Sequence, residues 1–238
     1  MLKRLKWKAG VALLAILMGN CVLGLGINQI VTVTAENAPL MNRHAVIIDA
    51  GHGGEDGGAV SCTGVPESKL NLEIALKLRD LLSLLGFDTM MIRTTDRSVS
   101  TEGETIAARK VSDLKTRVNM VNKMENCILI SIHQNHFTDS KYSGAQVFYA
   151  NTPDSRQLAE SLQSAFTSTV NPGSNRIIKV ADGIYLMQHV NCPAVLVECG
   201  FLSNYEEESL LQTKQYQQKI CSVLAACVSQ YINNQMMA

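Results

Sequence analysis

The segment VIIDAGHGGEDGGAV, residues 46–60, runs from an apolar stretch into an aspartate and then sets His52 among five glycines. Glycine costs a chain entropy on folding, so clustering it here implies either a tight turn or a backbone that must stay clear of something His52 holds. Two other apolar runs end in the same manner: ILISIH reaches His133, and AVLVE reaches Glu198. Glu67 stands at the mouth of a long amphipathic run, where a carboxylate also suits the helix dipole. Two neutral imidazoles and one carboxylate form a known ligand set for catalytic zinc, with a fourth position left for water. A further carboxylate nearby can take that water's proton. The residue types therefore point to metal-assisted hydrolysis.

Each residue also has a plainer reading. His133 alone fits a hydrogen-bonded core histidine, Glu67 alone a helix N-terminal charge, and His52 a turn, although its five glycines argue otherwise. Glu198, preceded by AVLV and followed by CGF, would be expensive to bury without a partner. The set carries more weight than its members. Asp49 closes the first apolar run and is placed to orient a ligating histidine from behind. Asp56 in the glycine loop reads as a turn residue. His136, in HQNH, reads as a polar loop residue beside the site, and His44 and His189 as surface or loop residues.

An α/β alternation must position these groups. HAVIIDA predicts a buried strand. Residues 67–87 predict a helix with Leu70, Ile74, Leu78, Leu81, Leu82 and Leu85 on one stripe and Gly86 as the stop. DTMMIRT predicts a strand, 98–110 a loop, and DLKTRVNMVNKMEN a helix. CILISIH and GAQVFYA predict strands, and DSRQLAESLQSAFTSTV a helix. DGIYLMQ and PAVLVEC predict strands, and 216–232 the last helix. Such alternation implies one sheet covered on both faces. Open α/β sheets bind ligands beyond the carboxyl ends of their strands, where His52, His133 and Glu198 fall.

The chain has 238 residues, which suggests one domain of about 200 plus a leader. Hydrophobic residues make up 46%, enough for a sizeable core. Acidic and basic side chains balance at 21 each, so no basic field exists and a nucleic-acid partner is excluded. MLKRLKWK carries four positive charges and no acid, and residues 9–27 carry no charge at all. Residues 1–35 are accordingly expected to be a signal peptide, cleaved after Ala35, or an N-terminal membrane anchor. The charge pattern sends the rest of the chain outward. Residues 36–43 then form a linker. The seven cysteines include no CxxC pair. Cys127, Cys199, Cys221 and Cys227 lie in apolar runs as small core residues, and the set is expected to be mostly reduced.

The motifs IIDAGHGGEDGGAV, ESKLNLEIALKLRDLL, SIHQNH and AVLVECGFLSN resemble the zinc-dependent N-acetylmuramoyl-L-alanine amidases of the third amidase family, from about His44 to the C-terminus. SGAQVFY and DGIYLMQ look closest to the germination-specific type of spore formers. The resemblance implies that residues 44–238 are a single α/β catalytic domain, a twisted mixed sheet of about six strands flanked by helices and zinc-exopeptidase-like. It implies Zn2+ held by His52, Glu67 and His133, with Glu198 as the catalytic acid/base. It implies cleavage of the amide between N-acetylmuramic acid and L-alanine of the stem peptide. For the germination-specific type, it implies action on spore-cortex peptidoglycan before muramic-δ-lactam formation. After SIHQN the family usually has a small residue, and here stands His136.

The expected partners are the glycan strand and stem peptide of peptidoglycan, outside the cytoplasmic membrane, with a membrane tether through the N-terminal segment. No cell-wall-binding repeat is visible, so recognition is expected from the catalytic domain or an accessory protein. Two rival readings stand beside this one. A zinc carboxypeptidase acting on cell-wall peptides would need a cationic pocket, for which Arg93, Arg97 and Arg117 are candidates. A non-catalytic peptidoglycan-binding protein would not need the ligand set or Glu198.

Overall fold

A computed structural model of the chain describes residues 45–237. The leader expected over 1–35, the linker over 36–43 and His44 lie outside the described residues. AVIIDA forms β1 (Ala45–Ala50), and the leucine-striped run forms α1 (Glu67–Leu84). There follow β2 (Thr89–Met91), α2 (Ile106–Asn122), β3 (Cys127–Asn135), β4 (Gln146–Tyr149) and α3 (Ser155–Ala165). The chain ends with β5 (Lys179–Val180), α4 (Tyr185–His189), β6 (Ala194–Phe201), α5 (Tyr205–Leu211) and α6 (Lys214–Met237).

The six strands make one mixed sheet in the order β2-β1-β3-β6-β4-β5. β1 pairs in parallel with β2 and β3, and β3 with β6. β4 runs antiparallel to β6 and carries β5 parallel to itself. The expected mixed sheet flanked by helices is therefore the one observed. The chain leaves β1 toward one edge and β3 toward the other, so a crevice opens between their carboxyl ends, the usual ligand position in such sheets.

Strand alternation divides the core. Val46, Ile48, Ile130, Ile132, Val195 and Val197 pack under α1, α3 and α6. Ile47, Leu129, Ala194 and Leu196 face the other way, with Val118 and Val121 of α2 and Leu186 and Met187 of α4. Asp49, Ser131, His133 and Glu198 continue that second face by the two-residue period. Cys127, Cys199, Cys221 and Cys227 are buried among these apolar side chains, as expected. Among the described residues no helix is long and apolar enough to cross a membrane.

Several elements differ from the sequence reading. DGIYLMQ is not a strand: Gly183 at φ 80° breaks the extended run, and Leu186 and Met187 bury side by side in α4. The edge strand is instead β5. Helix α2 begins at Ile106, inside the stretch 98–110 read as a loop. Thr105 caps it by accepting from the Ala108 amide at 3.1 Å. Its first turns are mostly solvent-exposed, so they carry no apolar period to read. DTMMIRT is extended only at β2, α3 gives way to a π-helical turn at Phe166–Val170, and β3 runs two residues past His133. The last helix expected over 216–232 is α6, longer at both ends, and the short helix α5 before it, capped by the Asn204 side chain, has no counterpart in the sequence reading. The stripe of α1 ends before Leu85, which is 53% exposed, and Gly86 stops the helix at φ 85°.

Leu78 is fully buried at the centre of that stripe. Leu78→Ala is expected to destabilise the fold by about 2–5 kcal/mol. Leu85→Ala is expected to change it by no more than about 0.5 kcal/mol. Urea unfolding of both variants checks the boundary.

Candidate metal centre and active site

Past the end of β1, the backbone turns with His52 in the left-handed region at φ 61°. A Cβ on Gly51 would lie 2.2 Å from the His133 ring. A Cβ on Gly58, itself at φ 70°, would lie 2.6 Å from Glu67 Oε2 and 2.7 Å from His52 Cδ2. At these two positions glycine is needed because three functional side chains occupy the space.

Glu67 is the first residue of α1, where Pro66 in extended conformation starts the helix and the helix dipole favours an anion. Its side chain is nearly buried. Oε1 accepts from His133 Nδ1 at 2.9 Å, Asn71 Nδ2 at 3.1 Å and the Gln134 amide at 3.2 Å. Oε2 accepts from the Ala59 amide at 3.0 Å and lies 3.3 Å from His52 Nε2. Burial opposes the charged form, but hydrogen bonds and charge from His133 and His52 outweigh it and hold the carboxyl far below the usual carboxylate range. For His52, burial disfavours the cation, while Glu67 and Asp56 outweigh that and push it up to about 9. Donor atoms of His52, Glu67 and His133 all lie within 4.8 Å of one another, an arrangement that could hold a metal ion.

The partner that orients His52 is Asp56. His52 Nδ1 donates to Asp56 Oδ2 at 2.9 Å, which leaves Nε2 turned toward Glu67. From sequence alone Asp49 is the residue expected to orient a ligating histidine, and Asp56 a turn residue. Asp49 instead lies beneath the site, bonded to Arg117 Nη1 at 2.5 Å and Ser131 Oγ at 2.7 Å. The signal for Asp56 was its four-residue spacing from His52 in a loop that turns back on itself.

Arg93 and Arg117 do not form a pocket for a substrate carboxylate. Arg93 is buried and donates to the carbonyls of Ala50 at 2.8 Å, Gly51 at 2.9 Å and Ser68 at 2.9 Å. Arg117 is buried by Asp49 and Asp113 and donates to the carbonyls of Ala50 and His52. The two guanidiniums hold the backbone beside His52 and Glu67. Arg97 is exposed and borders a cavity of about 310 Å³ with Gly53, Gly54 and Asp56.

Glu198 on β6 is in register with His133 on β3. The register then shifts, so β6 carries one extra residue before Phe201 meets Asn135. Glu198 Oε2 is buried and has no hydrogen-bond partner among the described residues. Burial pushes its carboxyl up to about 7; His133 and His52 pull it down, and Glu67 raises it further. Such a group can take or give a proton near neutrality. Cys199 points to the opposite face, into the core. His136 is exposed beyond β3 and is not part of the donor cluster. His189 ends α4, bonded to the Tyr185 carbonyl at 2.8 Å and stacked on that ring.

Residues 46–230 match the protein family described as N-acetylmuramoyl-L-alanine amidase. A germination-specific N-acetylmuramoyl-L-alanine amidase of Bacillus subtilis is 37% identical over 188 residues, covering 78% of this chain and 78% of the relative. The CwlD amidase of Clostridioides difficile, solved in complex with the GerS lipoprotein, superposes with a TM-score of 0.77 at 37% identity, covering 80% of this chain and 99% of that one. A second amidase structure, from Clostridium difficile 630, gives a TM-score of 0.71 at 31% identity over 81% of this chain and 98% of that one.

Removing a group that orients a metal-ligating histidine typically costs 10–100-fold in metal affinity. Asp56→Ala is expected to weaken divalent-metal binding by about that factor. The partly exposed loop position predicts an unchanged circular dichroism spectrum. Chelator-competition titration against the wild type measures the effect.

Proposed function

The chain belongs to the N-acetylmuramoyl-L-alanine amidase family, and from that premise we propose that His52, Glu67 and His133 hold Zn2+ while Glu198 acts as the catalytic acid/base. The observation that carries this reading is the convergence of two imidazoles and an ionised carboxylate beside a second, unpaired carboxylate. The donor set suits zinc, which takes nitrogen and carboxylate oxygen ligands and keeps an open position in catalytic sites. Glu67 supplies an anion at neutral pH, because its hydrogen bonds keep it deprotonated. Asp56 sets the His52 tautomer with Nε2 facing inward.

The bond broken is the amide between the lactyl carbonyl of N-acetylmuramic acid and the nitrogen of L-alanine. When bound, zinc would polarise that carbonyl and make water acidic enough to supply a nucleophile at neutral pH. Glu198 takes the proton of the attacking water and delivers it to the alanine nitrogen, which leaves as a neutral amine. Burial raises the Glu198 carboxyl above the usual carboxylate range, which suits a group that must first accept and then donate a proton.

The proposal extends to the substrate and its place. The 37% identity to a germination-specific amidase supports spore-cortex peptidoglycan as the substrate. Export follows from the charge pattern of residues 1–35, with 44–238 as the catalytic domain outside the cytoplasmic membrane, cleaved free or tethered. The solved complex of the Clostridioides difficile relative supports an accessory partner of the lipoprotein kind. The carboxypeptidase reading loses support, because two of its three candidate arginines are committed to backbone carbonyls.

Muropeptide analysis of cortex sacculi treated with the purified chain is expected to show released stem peptides beginning with free L-alanine. Glu198→Gln keeps the shape but cannot accept the proton, so turnover is expected to fall by about 10²–10⁴-fold with zinc content and melting temperature retained. His52→Ala, Glu67→Ala and His133→Ala are each expected to lose zinc by elemental analysis. Wild-type turnover in Glu198→Gln, or full zinc in any of the other three, would overturn the assignment of that residue.

A further inference from the structure

At the amino-terminal ends of β3 and β6, away from His133 and Glu198, two thiols meet. The strands are parallel, with Leu129 opposite Ala194, and the Leu129 amide donates to the Pro193 carbonyl at 2.9 Å. Cys127 opens β3 and Cys192 sits in the bend two residues before β6, so the chain continued back from the Leu129–Ala194 pair brings the two side by side. Both side chains pack into the same apolar cluster as Leu129 and Ala194. Neighbouring strands lie about 5 Å apart, inside the Cα separation that disulfides span.

The two cysteines are also held in place. Cys127 Sγ donates to the Met124 carbonyl at 3.4 Å, and the Cys192 carbonyl accepts from Thr152 Oγ1 at 2.9 Å. The two thiols are close enough to shift each other: the Cys127 thiol is lowered and, with burial adding to it, that of Cys192 is raised. Cys127 is buried and Cys192 only partly so.

We propose that Cys127 and Cys192 form a thiol pair that closes to a disulfide when it meets a small-molecule disulfide, joining the two strands that carry His133 and Glu198. Cys192 meets the reagent first because it is the more accessible; its thiol is raised, so it attacks through its minor thiolate fraction. The S–S bond of the reagent breaks, a mixed disulfide forms on Cys192, and one reagent thiol leaves. The Cys127 thiolate then attacks Cys192 Sγ and expels the second reagent thiol. The two protein thiol protons end on the two released thiols, so the protein is oxidised by two electrons and the reagent reduced by two. The bond closes a loop from 127 to 192 and restricts the unfolded chain accordingly.

The test treats the native full chain with oxidised glutathione, alkylates the remaining thiols under denaturing conditions, and maps peptides by mass spectrometry without reduction. The expected product is a Cys127–Cys192 linked peptide pair, lighter by about 2 Da than the two free-thiol peptides together and separated by reduction. In Cys127→Ser, Cys192 is expected to stop at the glutathione adduct. Should that variant not fold, Cys192→Ser is expected to leave Cys127 unmodified and alkylatable. Recovery of both wild-type cysteines in alkylated form, or of Cys192 as a glutathione adduct beside an alkylated Cys127, would overturn the proposal.

Discussion

The site depends on keeping one carboxylate charged where water barely reaches it. Burial of Glu67 favours the neutral acid, and a neutral acid would be a poor metal ligand and a poor anchor for two histidines. Five polar groups answer this: His133 Nδ1, Asn71 Nδ2 and the amides of Ala59 and Gln134 donate to it, and His52 Nε2 lies beside it. They come from three separate stretches of chain: the glycine loop, the next turn of α1 and the end of β3. Satisfying Glu67 therefore assembles the site. The helix N-terminus adds its own favourable field.

The second carboxylate is treated in the opposite way. Glu198 sits on the neighbouring strand with one buried oxygen unpartnered, and burial pushes it toward neutrality. Two glutamates in one crevice thus differ by environment alone, one fixed as an anion and one poised to exchange a proton. Such divergence between nearby titratable groups is how acid and base roles are assigned in a single pocket. It suits hydrolysis of an amide, where the leaving nitrogen must be protonated.

Holding this arrangement requires a rigid frame beneath it. Arg93 and Arg117 each bring a buried charge to the carbonyl oxygens at the end of β1, where the ladder stops. Asp49 and Asp113 balance the Arg117 charge. Losing one member of such a buried pair leaves an uncompensated charge, which costs far more than the pair contributes. Glycines at 51 and 58 keep Cβ atoms out of the same space.

Sequence alone determined the parts whose signal is local. Apolar runs ending in His52, His133 and Glu198 are visible because a strand's core residues are contiguous and its polar terminus is abrupt. The α1 stripe and its Gly86 stop are visible through their period and turn chemistry. Tertiary structure decided what local pattern could not carry. The first turns of α2 face solvent and have no apolar period, so the helix reads as a loop. DGIYLMQ is as apolar as a strand, and only packing of Leu186 and Met187 against the sheet makes it a helix. The pairing of Asp49 with Arg117 and Ser131 in place of a histidine, and the committal of Arg93 and Arg117 to backbone carbonyls, depend on which groups the fold brings within about 3 Å. For Asp49, Arg93 and Arg117 that distance is set by contacts across 40 to 70 residues of chain, and spacing along the sequence holds no record of it.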